Sequence, residues 1–246
     1  MTARLPSLLE PLELRSAPQL IADRVVTAIA LGEFVPGQRL PAERALAAML
    51  GVSRKTIREG LHSLAEDGYV EIQRGRSGGA VVKESWLPRS ADSVRRTLGE
   101  TWTSLEWLFD LRHLIEPLIA RTAAERRRPD DVVRIEQALA DYESAADREA
   151  SRAADASLHT AIADATQNPY LANLSRQIRT QVSLGFQAEP YSESIRKTAI
   201  VQHGELVRAI VGVDSDGAAR IASEHFLLTE RAVRDLARRV EEPGRQ

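Results

Sequence analysis

The chain has 246 residues, no cysteine and a formal net charge of -2, so disulfide staples and thiolate metal sites are excluded. No apolar run approaches membrane-spanning length and no basic start leads into an apolar block, so neither a membrane anchor nor a signal peptide is expected and a two-domain cytoplasmic protein is. Counted by halves, residues 1–84 hold 11 Lys and Arg against 10 Asp and Glu, a balance of +1, and the remainder holds 22 against 25, a balance of -3; any anion-binding surface must come from clustering of cations, not from their number.

In chain order, residues 1–15 read as a flexible arm broken by Pro6 and Pro11, in which Arg4 and Arg15 carry charge. Gln19 to Leu31 is an amphipathic helix with Ile21, Val25, Ala28 and Ile29 inward, ended by Gly32, and Pro36 and Gly37 turn the loop that follows. A second helix starts at Pro41 and is stopped by Gly51. Ser53 then caps a third, whose Ile57, Leu61 and Leu64 fall on one face while Arg54, Lys55, Thr56, Arg58 and His62 line the other. After Gly68, Tyr69 to Gln73 alternates as a half-buried strand, Arg74 to Gly79 forms a Gly-rich turn with two cations, and Ala80 to Val82 gives a return strand. Two short helices, a tight turn and a wing are the layout of a DNA-binding module over residues 16–84, its third helix shaped to enter a major groove and its wing tip to follow the backbone or the minor groove.

Residues 85–90 read as a linker, and residues 91–240 as an all-helical second domain before a tail at 241–246. The expected helices are Ala91–Gly99, Trp102–Arg127, Asp130–Arg148, Ser151–Thr166, Pro169–Gln187, Tyr191–Val211 and Asp214–Val240, with a kink between Arg112 and Pro117. The fold class is therefore mainly α, an N-terminal winged helix-turn-helix followed by an antiparallel helical bundle.

Four side chains of the bundle form a chelating pattern. Asp155 and His159 are four apart and project from one helix face. His203 and His225 each lie 11 residues from Asp214, in the turn joining the last two helices, so an antiparallel hairpin brings them level. Three imidazoles and a carboxylate suit a divalent transition metal, with zinc the first expectation and nickel, manganese or iron open. His62 and His113 have no such partners. Arg112, if inward, is placed to pair bidentately with a carboxylate that also touches the metal. Two further readings stay open at this point: a metal-dependent hydrolase with an accessory winged domain, for which no general base is visibly placed, and a regulator whose metal is purely structural.

The run L-P-A-E-R at Leu40–Arg44, G-V-S-R-K-T-I-R-E at Gly51–Glu59, L-A-E-D-G at Leu64–Gly68 and the Gly-rich wing resemble the winged-helix domain of GntR regulators. D-x-x-x-H at Asp155 and His159, N-P at Asn168 and Pro169 and the two later histidines resemble, in that order, the FadR-type (FCD) ligand-sensing domain. The resemblance implies a homodimeric transcription factor, usually a repressor, that binds double-stranded operator DNA and responds to a small carboxylate-bearing metabolite held beside a metal. Carried over by motif, the DNA contacts are Arg44, Ser53, Arg54, Lys55, Thr56, Arg58, Arg74 and Gly75. The metal ligands are Asp155, His159, His203 and His225, and Arg112 matches the effector-facing arginine. The wing departs from the family's G-x-G tip followed by an aromatic, reading G-R-S-G-G-A instead.

Overall fold

The computed structural model describes residues 15–75, 78–184, 186 and 192–241. Their first part holds α1 (Ala17–Ala30), α2 (Glu43–Leu50), α3 (Arg54–Glu66), β1 (Val70–Gln73) and β2 (Gly79–Val82). Local chemistry sets the boundaries. Ser16 and Gln19 form a capping box on α1. Gly51 ends α2 at φ 67°, a left-handed position that favours glycine, and Ser53 accepts from the Thr56 amide at 3.1 Å to start α3. Ile57, Leu61 and Leu64 are all buried, as the periodicity requires.

The wing is an antiparallel pair running from Val70 opposite Val82 to Gln73 opposite Gly79. The α1–α2 loop adds to its edge: Gly37 N donates to Val82 O and Leu40 N to Ala80 O, both at 2.8 Å, and Arg39 bridges Val81. Arg76 and Ser77 at the wing tip lie outside the described residues, as do Arg4 with the rest of 1–14 and the tail 242–246.

The second part holds α4 (Ser90–Arg126), α5 (Pro129–Glu143), α6 (Arg148–Asp164), α7 (Pro169–Val182), α8 (Glu193–Val211) and α9 (Ser215–Glu241). The two helices expected over 91–127 are one, α4, helical through Gly99 and Pro117 and beginning at Ser90 inside the expected linker. The reason is packing: Val94, Leu98, Leu105 and Phe109 form a continuous buried stripe. One exposed helical glycine costs about 1 kcal/mol, against about 1.5–3 kcal/mol for each large apolar side chain buried. The expected Asp130–Arg148 helix stops at Glu143, and α6 starts at Arg148, because Asp147 caps it by accepting from the Ala150 amide at 2.8 Å. α7 ends at Val182, five residues short of the expected Gln187.

Two apolar clusters organise the molecule. One joins the winged unit to the start of α4 and the ends of α7 and α9, through Leu40, Tyr69, Val94, Leu98, Val182, Val233 and Leu236 among others. The second fills the bundle with Ile119, Ile135, Leu158, Ile162, Leu206, Ile210 and Phe226. The winged unit is thus docked on the bundle. Asp23 of α1, nearly buried, takes both Nε and Nη2 of Arg96 on α4 at 2.8 and 2.6 Å, and Tyr69 OH meets Ser90 Oγ at 2.9 Å. Arg15 pairs with Asp23 and Glu100, which commits it to the protein's own acids rather than to a ligand.

Candidate metal centre and nucleic-acid interface

The antiparallel α8–α9 hairpin sets His203 beside His225, with Nε2 atoms 3.0 Å apart, and α6 brings His159 Nε2 to 3.3 Å from each. All three are buried. Asp155 Oδ1, one turn before His159, lies 3.6 Å from His203 Nε2 and 3.8 Å from His159 Nε2. Burial pulls the His203 imidazole down to about pH 4. It drives His159 well below the usual histidine range, and the fields of His203, His225, Arg179 and Arg112 add to that. His159 and His203 are therefore neutral at pH 7, the form in which imidazole binds metal.

A single proton can be shared within such a triangle, but two cannot. His225 Nδ1 donates to Gln202 Oε1 at 3.1 Å, so in the neutral ring Nε2 carries a lone pair pointing inward. His159 and His203 cannot both donate to it without setting two N–H groups against each other at 3.3 Å. A cation accepts all three lone pairs at once. Nitrogens arranged tetrahedrally about 2.0–2.1 Å from zinc stand about 3.3–3.4 Å apart, close to the observed spacing, so the donor set fits a divalent metal.

Arg112 is 1% exposed, on α4, with its guanidinium carbon 4.3 Å above the Phe226 ring centroid. The same ring lies 5.2 Å from the His159 ring and 5.1 Å from that of His225. One turn along α4, buried Glu116 accepts from Ser175 Oγ of α7 at 3.2 Å. An interior cation, an aromatic wall and the triad therefore adjoin one another, an arrangement that can hold an anion beside a metal.

On the winged unit, Arg44, Ser53, Arg54, Lys55, Arg58, Arg74 and Gly75 are exposed and Thr56 is half-buried. Ser53 and Thr56 are tied to each other, their hydroxyls 2.7 Å apart. Lys55 pairs with Glu59 at 3.7 Å, and Arg58 holds Glu43 through Nε at 3.1 Å and Nη2 at 2.8 Å. Gly75 has φ 110° at the near side of the turn.

The profile of bacterial regulatory proteins of the gntR family matches residues 19–79, and that of the FCD domain matches residues 107–228. The galactonate operon transcriptional repressor of Escherichia coli (strain K12) is 30% identical over 222 residues, covering 87% of this chain and 97% of the relative. The chain belongs to the FCD-type GntR regulators. The Uxu operon transcriptional regulator of Escherichia coli (strain K12) is 32% identical over 201 residues, 78% of this chain and 77% of the relative. A solved structure of Streptococcus agalactiae GntR is 28% identical and covers 87% of this chain and 99% of that one, at a TM-score of 0.47.

These GntR relatives are transcription regulators, not enzymes, and the hydrolase alternative lapses with that membership. The FCD match spans Arg112 and all four candidate ligands. Sequence reasoning passed over three neighbours of the triad. Gln202 orients His225, Tyr142 of α5 packs edge-on against His203 with centroids 4.8 Å apart, and Arg179 of α7 pins α6 through Ala156 O and Thr160 Oγ1 at 3.1 and 3.2 Å. Only Gln202, adjacent to a candidate ligand, carried any signal in sequence. Arg39, bonded to Gln73 Oε1 across the wing at 3.2 Å, is a missed cation on the DNA-binding unit.

Proposed function

We propose that this GntR regulator is a cytoplasmic, homodimeric repressor whose operator affinity is set by a small organic acid bound beside a divalent metal. The metal, zinc first among the alternatives, is held by Asp155, His159, His203 and His225, and the acid's carboxylate is clamped by Arg112. The observation that carries this is the convergence of three buried Nε2 atoms, with a buried guanidinium and the rings of His159 and His225 packed on Phe226. A relative named as a galactonate operon repressor is in keeping with an organic-acid effector and a repressing role. The metal supplies a Lewis-acidic position for a carboxylate oxygen; Arg112 supplies the opposing charge and the orientation.

Coupling to DNA is supported by what else α6 touches. One turn before Asp155, Arg152 donates Nη1 to the Glu33 carbonyl in the α1–α2 loop, and the neighbouring Phe34 packs edge-on against Phe186 with centroids 5.4 Å apart. A ligand that shifts α6 at the triad thus acts on a rigid helix whose second turn holds the winged unit. A change of about 5- to 150-fold in operator affinity is the ordinary size of such coupling.

Dimerisation is supported by α4. Trp107, Leu114 and Leu118 are 71%, 65% and 45% exposed and, with half-buried Leu111, recur at intervals of four, three and four. That spacing makes one seam suited to packing against its own copy. A winged unit with a charge balance of only +1 needs a second copy at fixed spacing to select an operator. Titrating zinc-loaded protein with a panel of hydroxy, keto and sugar acids while following operator binding tests the whole. No change in affinity with any acid that binds the protein would refute the sensor function.

A further inference from the structure

Arg58 stands mid-way along the exposed face of α3, yet its guanidinium is already held by the Glu43 carboxylate at the first turn of α2. The side chains are 56% and 30% exposed, and a pair so open to solvent adds little to folding. Its cost to DNA binding is plain, since it puts a negative charge where phosphates must approach. The hydrogen bonds from Arg58 keep Glu43 ionised by lowering its carboxyl below the usual range, and the charge persists at any working pH.

The geometry of the pair resolves this. A guanidinium has five N–H donors in one plane. Glu43 takes Nε–H and one hydrogen of Nη2, leaving one hydrogen of Nη1 and one of Nη2 along the end edge and the second Nη1 hydrogen on the Cδ side. That edge is a two-donor fork, the shape that meets the O6 and N7 acceptors of guanine in a major groove. The pair lines a recess of about 210 Å³ between α2, α3 and the wing, shared with Leu61, His62, Ile72 and Gly79, which places Arg58 between the recognition helix and the hairpin.

We infer that Glu43 is a positioning residue for sequence recognition: it fixes the Arg58 guanidinium with its free edge outward and so makes Arg58 a reader of one guanine per winged unit. This rests on Arg58 contacting DNA, as membership of the GntR family leads one to expect.

The test uses the full chain and two duplexes of equal length, one enriched from a randomised pool by the unmodified protein and one scrambled. Glu43→Gln keeps the side-chain size but removes the charge and one of the two acceptors. It is expected to lower affinity for the enriched duplex about tenfold or more, the scale of one lost bidentate base contact. Affinity for the scrambled duplex is expected to hold or rise, with an unchanged melting temperature. In an Arg58→Ala background the same substitution is expected to cost no further discrimination. Replacing guanines of the enriched site singly with 7-deazaguanine, which lacks the N7 acceptor, should reveal a position that matters to the unmodified protein and not to Arg58→Ala. Equal gains on both duplexes would make Glu43 a mere unfavourable charge and overturn the inference, and equal losses with a lowered melting temperature would make it structural and do the same. If no guanine responds, the fork holds phosphate and the base assignment fails. If Arg58→Ala leaves discrimination intact, the placing of Arg58 at DNA fails first and the role of Glu43 falls with it.

Discussion

Acid should destabilise the metal-free protein through His203 in a way that can be isolated. The imidazole sits at about 4 in the folded chain because burial penalises its charged form, against 6.5 for an exposed histidine. Between those values the unfolded chain binds a proton that the folded chain does not. Stability is therefore complete above about pH 6.5 and is lost as pH falls toward 4. At 1.36 kcal/mol per unit the full difference is about 3 kcal/mol, of which about 2 kcal/mol has been lost at pH 5. The measurement is urea unfolding by circular dichroism with chelator present, at pH 7.5 and 5, on the unmodified chain and on His203→Gln. The variant keeps a polar side chain of similar size and cannot titrate; it leaves the burial of His159 in place and removes only the share of the His159 shift that the field of His203 adds. The unmodified protein should lose about 2 kcal/mol more than the variant between the two pH values. Equal losses would refute the reasoning, because they would mean that His203 meets solvent or that Asp155, 3.6 Å from its Nε2, offsets the cost of burying its charge.

Three other outcomes follow from the geometry. Arg112→Gln should abolish the effect of organic acids on operator binding while zinc still raises the melting temperature, and loss of both together would place Arg112 in the bundle's framework instead. Leu114→Glu should weaken self-association about tenfold or more in sedimentation with helicity unchanged, since it charges the centre of the α4 seam. Gly60→Ala should lower the melting temperature although alanine favours helix by about 1 kcal/mol: its Cβ would stand 3.0 Å from Pro18 O and 3.1 Å from Ile21 Cγ2, and overpacking of that kind costs about 1–3 kcal/mol.

What could be read from the chain and what could not divide along one physical line. Spacing along a helix is fixed by its pitch, and the α8–α9 hairpin is a short turn between two regular helices. Equal distances from Asp214 were therefore enough to bring His203 and His225 level, and their Nε2 atoms lie 3.0 Å apart. The pattern of Ile57, Leu61 and Leu64 was legible for the same reason. The Gly99 break failed because a local propensity was set against buried side chains on both sides of it, and the packing outweighed it. Nothing in sequence states how one helix is rotated against another, and that rotation decides which polar groups meet. Arg58 was legible as an exposed cation and Glu43 as a first-turn acid of α2, each with a sufficient local explanation. That 15 residues of separation close into a two-point hydrogen bond depends on the crossing of α2 over α3. Arg152 reaching Glu33 and Arg179 reaching α6 are cases of the same kind. The groups that bind were written in helical periods, whereas the groups that aim them are contacts between helices, which makes the second set the one where substitution is most informative.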